Sequence, residues 1–417
     1  MTRLLSCLPL LALVACTVAA PPVPPAVHAP APAVAIVEQR PIVTILISID
    51  GLRPDRLGRG DTPVLDALAK TGARAAMKPS FPTLTFPNHY TLVTGLRPDR
   101  HGIVANTMEA PEKPGIVFRT SATAITQDPF WWDQAEPVWV TAERAGIRTG
   151  TVFWPGSEVA VRGIRPGAWL PYHAAVTNRQ RVATVIDWLR RPVAERPQFL
   201  TLYFDVVDKA SHNIGFDTPD TTAAIRSVDT AIGGLRDDLA ALGQRADLVI
   251  VSDHGMAPVA IDHWLPTGGI ADQKTMRITV EGPELYVYAL QPGGSVAAIA
   301  GRRAHFTCWT RENMPARFHY GRNPRVSPGF CLADAGWRFI GEGRSSYVRG
   351  DHGWDNDDPA MRALFIANGP RFAIGRTLPM FDNVDVAPLL RDLIGLPAGI
   401  GLDGDDRIFR DVMAKEE

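Results

Sequence analysis

Three stretches of the chain are apolar at nearly every position rather than at alternate ones: residues 42–49 (IVTILISI), 199–204 (FLTLYF) and 248–251 (LVIV). Near-continuous, β-branched runs of this kind predict strands buried on both faces of a parallel sheet. The first run stops at Asp50-Gly51, the second near Asp205 and Asp208, and the third at Ser252-Asp253-His254-Gly255. Each buried strand therefore ends on a carboxylate, at the end of the sheet where open α/β folds form their ligand crevice. Helical spacing fills the intervals. Residues 63–70 carry Val64, Leu65 and Leu68 behind Thr62 as an expected N-cap, with Gly72 as a stop. Residues 182–189 and 223–242 repeat the pattern, the latter through Ile225, Val228, Ile232, Leu235 and Leu239. Residues 364–367 read as a further strand and 384–394 as a further helix. This alternation predicts an α/β fold. From about 264 to 347 the rhythm breaks into Pro, Gly and Arg around one strand at 285–288, which predicts an insertion or cap within a folded body spanning 41–417.

The N-terminus departs from that body. Met1-Thr2-Arg3 precedes an apolar stretch from Leu4 to Ala20, short for a bilayer span and arranged like a secretory signal. Leu13-Val14-Ala15-Cys16 looks like a bacterial lipobox, which would make Cys16 a lipid-anchored first residue; cleavage near Ala19 is the competing reading. Residues 21–40, rich in Pro, Ala and Val, predict an extended linker. The chain is thus expected in the periplasm, free or held at the outer membrane of a bacterium. Outside the signal only Cys308 and Cys331 remain, and an even pair in an exported chain favours a disulfide over two buried thiols. With 46% hydrophobic residues the chain can bury a large core, and 43 basic against 44 acidic residues give no general attraction to nucleic acid or to anionic membrane. An anionic substrate must be held by local charge.

Clustered Asp and His suit zinc where thiolates are missing. The candidates are Asp50, Asp208 with His212, Asp253 with His254, and His352 in Gly350-Asp351-His352-Gly353-Trp354. Singly, an Asp at a strand end reads equally as a helix cap; what separates this set from His28, His263, His305 and His319 is its recurrence at the ends of buried strands. Thr85 opens Thr85-Phe86-Pro87-Asn88-His89-Tyr90, where Pro87 predicts a helix start. By local sequence Thr85 reads either as an N-cap or as a nucleophile at a helix N-terminus that favours anions.

Seven segments in order resemble the nucleotide pyrophosphatase/phosphodiesterase family of the alkaline phosphatase superfamily: Ser48 to Arg53, Phe81 to Tyr90, Gly102 to Asn106, Trp154 to Glu158, Asp208 to His212, Ser252 to Met256 and the His352 segment. The resemblance implies an alkaline-phosphatase-like, mostly parallel sheet with helices on both faces. It implies two zinc ions, one on Asp208, His212 and His352, the other on Asp50, Asp253, His254 and the Thr85 oxygen. It further implies attack by Thr85 through a phospho-threonine, a hydrogen bond from Asn106 to a phosphoryl oxygen, and a nucleobase stacked between Phe86 and Tyr172. Asn106 as a turn residue and both aromatics as core packing are the plain alternatives. The chain departs from the family at Trp354, where Tyr is frequent, and at Asp205 and Val207, where Glu and Pro are frequent; these touch substrate preference rather than the metal residues. Thr85 itself excludes the sulfatase branch, which needs a modified Cys or Ser. The expected substrates are nucleotides or other phosphodiesters, with phosphomonoesters, phospholipid diesters and a zinc-binding protein without turnover as alternatives.

Overall fold

The computed structural model describes residues 40–272, 274–290, 295–341 and 348–413. The signal, Cys16 and the linker up to residue 39 lie outside the described residues. The central strands are β1 (Val43–Ile49), β2 (Ala73–Lys78), β3 (Thr149–Val152), β4 (Ala168–Leu170), β5 (Phe199–Phe204) and β6 (Ala246–Val251). A second group comprises β7 (Met276–Glu281), β8 (Glu284–Ala289), β9 (Phe306–Thr310) and β10 (Gly329–Ala333), after which β11 (Ala363–Asn368) returns to the centre. The central sheet runs β2-β11-β6-β1-β5-β3-β4, with short strands at Arg376–Thr377 and Phe381–Asp382 flanking β2. β1 is parallel to both β5 and β6, whereas β11 is antiparallel to both β6 and β2. Ser48 pairs with Tyr203 on one side and with Val251 on the other. That register brings Asp50, Asp205 and Asp253 to one end of the sheet.

Because side chains alternate across a strand, β1 feeds two cores. Ile45, Ile47 and Ile49 pack on one face with α1 (Pro63–Thr71), α3 (Asn178–Leu189) and α5 (Pro219–Ala241). Leu46 packs on the other with α2 (Thr85–Thr94) and α6 (Val386–Leu393). A sheet covered on both faces needs apolar residues at every position, which is why these strands carry no alternation. A short helix, α4 (Val206–Ile214), follows β5 directly.

The cap of α1 differs from the sequence expectation. Thr62 occupies the N-cap position, but its hydroxyl donates to Asp66 at 3.1 Å instead of accepting from the helix. The first-turn amides of Val64 and Leu65 are taken by the Asp229 carboxylate of α5, at 3.1 and 2.8 Å. A buried acid from a neighbouring helix thus satisfies the orphan amides and complements the helix dipole.

Between β6 and β11 the chain builds a separate five-stranded antiparallel sheet ordered β7-β8-β10-β9 with Gly301–Arg303 at its edge. Cys308 and Cys331 lie directly opposite each other on β9 and β10 and form a disulfide. Both are buried in the core of this sheet. The sequence separation of 23 residues sets the loop that the bond closes. Replacing both cysteines by alanine is expected to lower stability by about 3 kcal/mol in denaturant titration, the size that loop length implies; an unchanged midpoint would show that the strand pairing holds without the bond.

Candidate active site

The carboxyl ends of β1, β5 and β6 converge on one crevice. Asp50, Asp253 and His254 are buried to 1% exposure or less, and one ligand atom from each lies within 4.8 Å of the others. Asp208, His212 and His352 form a second group that meets the same limit. The groups touch through their imidazoles: the rings of His254 and His352 stack with centroids 3.6 Å apart. Local backbone makes this convergence possible. Gly51 holds φ at +69°, turning the chain immediately after Asp50 and letting its amide donate to Asp253 Oδ1 at 3.2 Å. A Cβ on Gly255 would meet the Ala360 carbonyl at 2.0 Å, so only glycine lets the loop after His254 pack there.

The three imidazoles share one arrangement. Nδ1 of His212 bonds the Gly350 carbonyl, that of His254 the Gly255 carbonyl, and that of His352 the Thr83 carbonyl, at 2.9, 2.9 and 2.8 Å. A carbonyl accepts only, so each Nδ1 carries a proton, and each ring in its neutral form, which for His212 means above about pH 9, turns a lone pair outward on Nε2. Metal-binding histidines are held in this way. Facing them, Asp50 Oδ1, Asp208 Oδ1 and Asp253 Oδ2 are buried without a hydrogen-bond partner among the described residues. His254 Nε2 lies 3.0 Å from Asp253 Oδ2 and 3.4 Å from Asp50 Oδ1, and His212 Nε2 lies 3.3 Å from Asp208 Oδ1. Unpaired anionic oxygens opposite aligned nitrogen donors fit a pair of borderline cations such as zinc.

Charge points the same way. Burial, then repulsion by Asp253 and Asp208, raises the Asp50 carboxyl well above its ordinary range. Burial opposes ionisation of Asp208 too, yet His212, His352 and His254 bring it down to about 2. Asp253 is likewise held low against burial by His254 and His89. Burial and the charge of His254 push His352 down to about 3, while Asp208 and Asp351 overcome burial to lift His212 to about 9. Asp50 is thus the carboxyl whose charged form the histidines leave least favoured. A bound cation would favour it.

Thr85 is the first residue of α2, with Leu84 at the N-cap position and no side-chain cap. The N-cap reading of Thr85 therefore fails: its Oγ1 faces His254 Nε2 at 3.2 Å. The side-chain Oδ1 of Asn106 accepts from the Phe86 amide at 3.0 Å, which satisfies one first-turn donor of α2 and leaves the Nδ2 group of Asn106 as its donor. Phe86 is partly exposed and makes edge and tilted contacts with Phe118 and Trp132. Tyr172 is 44% exposed and donates to Asp205 Oδ2 at 2.7 Å.

The family model for type I phosphodiesterases / nucleotide pyrophosphatases matches residues 44–355. The chain belongs to this family. Its nucleotide pyrophosphatase/phosphodiesterase relatives include an uncharacterised pyrophosphatase/phosphodiesterase of Schizosaccharomyces pombe, 35% identical over 85% of this chain and 77% of that one. Ectonucleotide pyrophosphatase/phosphodiesterase family member 1 of Rattus norvegicus is 34% identical over 85% of this chain, which spans only 41% of the rat protein's length. Among solved structures, the murine ectonucleotide pyrophosphatase/phosphodiesterase 5, an inactive threonine-to-alanine variant in complex with AMP, superposes with a TM-score of 0.84 at 30% identity. The match covers 90% of this chain and all of the murine one, and the α/β architecture is the alkaline-phosphatase-like one shared by the family.

Sequence reading gave no role to three residues that hold the site. His89, fully buried, stands one turn after Thr85; its Nδ1 bonds the Thr85 carbonyl at 2.9 Å, its Nε2 meets Ser48 Oγ at 2.8 Å, and its ring lies 3.3 Å from Asp253. The i, i+4 spacing from Thr85 was the available signal. Tyr203 donates to Asp50 Oδ2 at 2.5 Å, and Arg181 pairs with Asp205 at 2.7 Å. These long-range partners carry no local signature.

Adding zinc to chelator-stripped protein is expected to raise stability, by about 4 kcal/mol for each bound ion at a thousandfold excess over its dissociation constant. The pH dependence follows from His212, raised from 6.5 to about 9. In stripped protein its charged pair with Asp208 stabilises fully below pH 6.5 and is lost as pH rises through 9. Zinc must displace that proton, so the zinc-induced gain shrinks as pH falls below 9. Thermal unfolding with and without zinc at pH 6 and 9 measures both slopes; indifference to zinc at pH 9 contradicts the metal assignment.

Proposed function

We propose that the protein hydrolyses phosphodiester or pyrophosphate bonds of nucleotides, releasing nucleoside monophosphates, with Thr85 as nucleophile. The observation that carries this reading is the uncapped Thr85 hydroxyl at the head of α2, 3.2 Å from a ring nitrogen of His254. The AMP complex of an inactive threonine-to-alanine variant of the murine relative supports it.

In this reading Asp208, His212 and His352 hold one zinc ion, and Asp50, Asp253, His254 and the Thr85 oxygen hold the other. The two ions supply positive charge that stabilises the deprotonated nucleophile and the phosphoryl oxygens. Thr85 Oγ1 loses its proton and attacks phosphorus, the bond to the leaving oxygen breaks, and that oxygen takes up a proton. The first-turn amides of α2 favour the anion beside them, and Asn106 Nδ2 donates to a non-bridging oxygen. Water then cleaves the phospho-threonine and restores the hydroxyl. His89 orients the first turn of α2 through the Thr85 carbonyl, and Tyr203 keeps Asp50 aimed into the crevice. Phe86 and Tyr172 form the walls of a nucleobase subsite. Export to an oxidising compartment accords with the Cys308–Cys331 bond, and no helix among the described residues is long and apolar enough to cross a membrane.

Zinc-loaded protein is expected to cleave bis-p-nitrophenyl phosphate in preference to p-nitrophenyl phosphate. Thr85→Ala should lower turnover by at least about 10³-fold with two zinc ions per chain retained by elemental analysis. A preference for the monoester would move the assignment to a phosphomonoesterase, faster release of choline phosphate from phospholipid diesters would move it to lipids, and full activity of Thr85→Ala would remove the nucleophile.

A further inference from the structure

Beside the Asp208 carboxylate sits a second charged cluster that the proposed chemistry does not use. Asp205, 4% exposed, closes β5. Three donors converge on it: Arg181 Nη1 at 2.7 Å, the Tyr172 hydroxyl at 2.7 Å and Lys209 Nζ at 2.5 Å. Lys209 also donates to the Tyr172 hydroxyl, and its ammonium lies 5.1 Å from the centre of that ring. Arg181, with its side chain 2% exposed, bonds the Tyr203 and Val176 carbonyls and lies 4.8 Å over the Phe153 ring. Phe153 in turn meets the Tyr172 ring edge-on at 5.4 Å.

Two features exceed what burying one carboxylate demands. Arg181 already supplies a buried, hydrogen-bonded cation for Asp205, so charge balance needs neither Lys209 nor Tyr172. Those side chains are 50% and 44% exposed, and holding a lysine at the surface costs rotamer freedom. Phe153, moreover, holds φ at +63°, a left-handed conformation that is strained for an aromatic residue and persists only where surroundings enforce it. Both features have one result in common. They fix the Tyr172 ring by its hydroxyl and by one edge while leaving much of it open to solvent.

We propose that Lys209 and Asp205, backed by Phe153 and Arg181, clamp Tyr172 in the orientation that stacks a nucleobase, which makes Lys209 a positioning residue for nucleotide binding. This rests on Tyr172 being a wall of the nucleobase subsite in the function proposed above. Lys209 follows Asp208 in the first turn of α4, so one short helix sets both the subsite wall and a candidate metal carboxylate.

The test is AMP binding to full-length, zinc-loaded protein by titration calorimetry. Lys209→Met and Tyr172→Phe, which keeps the ring and removes the hydroxyl, should each weaken AMP by about tenfold, the effect of losing one charge-assisted hydrogen bond. The double variant should be no weaker than either single one, because both break the same link. Lys209→Arg should restore binding to within a factor of about two, with zinc content unchanged throughout. AMP affinity unaltered by Lys209→Met, or losses that multiply in the double variant, would overturn the clamp. If wild-type protein binds no AMP, the clamp fails while Thr85-dependent cleavage of methyl p-nitrophenyl phosphate keeps the diesterase reading. If no diester is cleaved yet AMP binding follows the expected pattern, the clamp stands and the hydrolytic reading fails.

Discussion

Three carboxylates at one end of a sheet, Asp50 and Asp253 buried and Asp208 largely so, are the constraint around which this protein is arranged. Asp50, Asp208 and Asp253 crowd one crevice, and burial leaves an unpaired oxygen on each. Isolated, such charges would be prohibitively costly in a low-dielectric interior. The surroundings answer that cost in layers. Three imidazoles present Nε2 atoms to the oxygens, three backbone carbonyls hold those rings, Tyr203 and the Gly51 amide donate from behind, and the His89 ring lies 3.3 Å from Asp253. The parallel strands β1, β5 and β6, nearly all apolar and buried on both faces, pair in a register that brings residues more than 200 positions apart to a common level.

The sequence disclosed that arrangement unevenly, for physical reasons. Buried parallel strands are legible because nearly every position is apolar, and the carboxylates stand out because they follow where such a run ends. The long α5 was legible from its apolar spacing, yet it begins at Pro219, four residues before the expected start, because Thr218 and Pro219 rather than the first apolar residue set its origin. Thr85 could be read as a cap or a nucleophile, since both roles place a hydroxyl at a helix N-terminus. Only the position of Leu84 and the direction of Oγ1 separate them. The Asp229 cap of α1 and the Arg181–Asp205 pair were illegible, because the partners are 164 and 24 residues away and neither makes a local pattern.

The antiparallel sheet from β7 to β10 bears on the crevice through the turn between β7 and β8. Gly282, with φ at +60°, brings that turn so close to Asp351 that a Cβ there would lie 2.7 Å from the carboxylate. Asp351 in turn precedes His352 and faces the ring of His212 at 3.7 Å. Segments from 282 and 351 thus meet behind the imidazoles, although the intervening chain forms a sheet of its own around the disulfide.

The placement of β11 has a consequence for how the chain matures. This strand, residues 363 to 368, lies between β2 and β6, which precede it by as much as 290 positions. Until β11 emerges, long after both of those strands, each presents an open edge with unpaired amides and carbonyls. Such long-range closure is slow and exposes sticky intermediates. His352 arrives just ahead of β11, so the chain gains its last candidate metal ligand and closes the gap between β2 and β6 in one short stretch of synthesis.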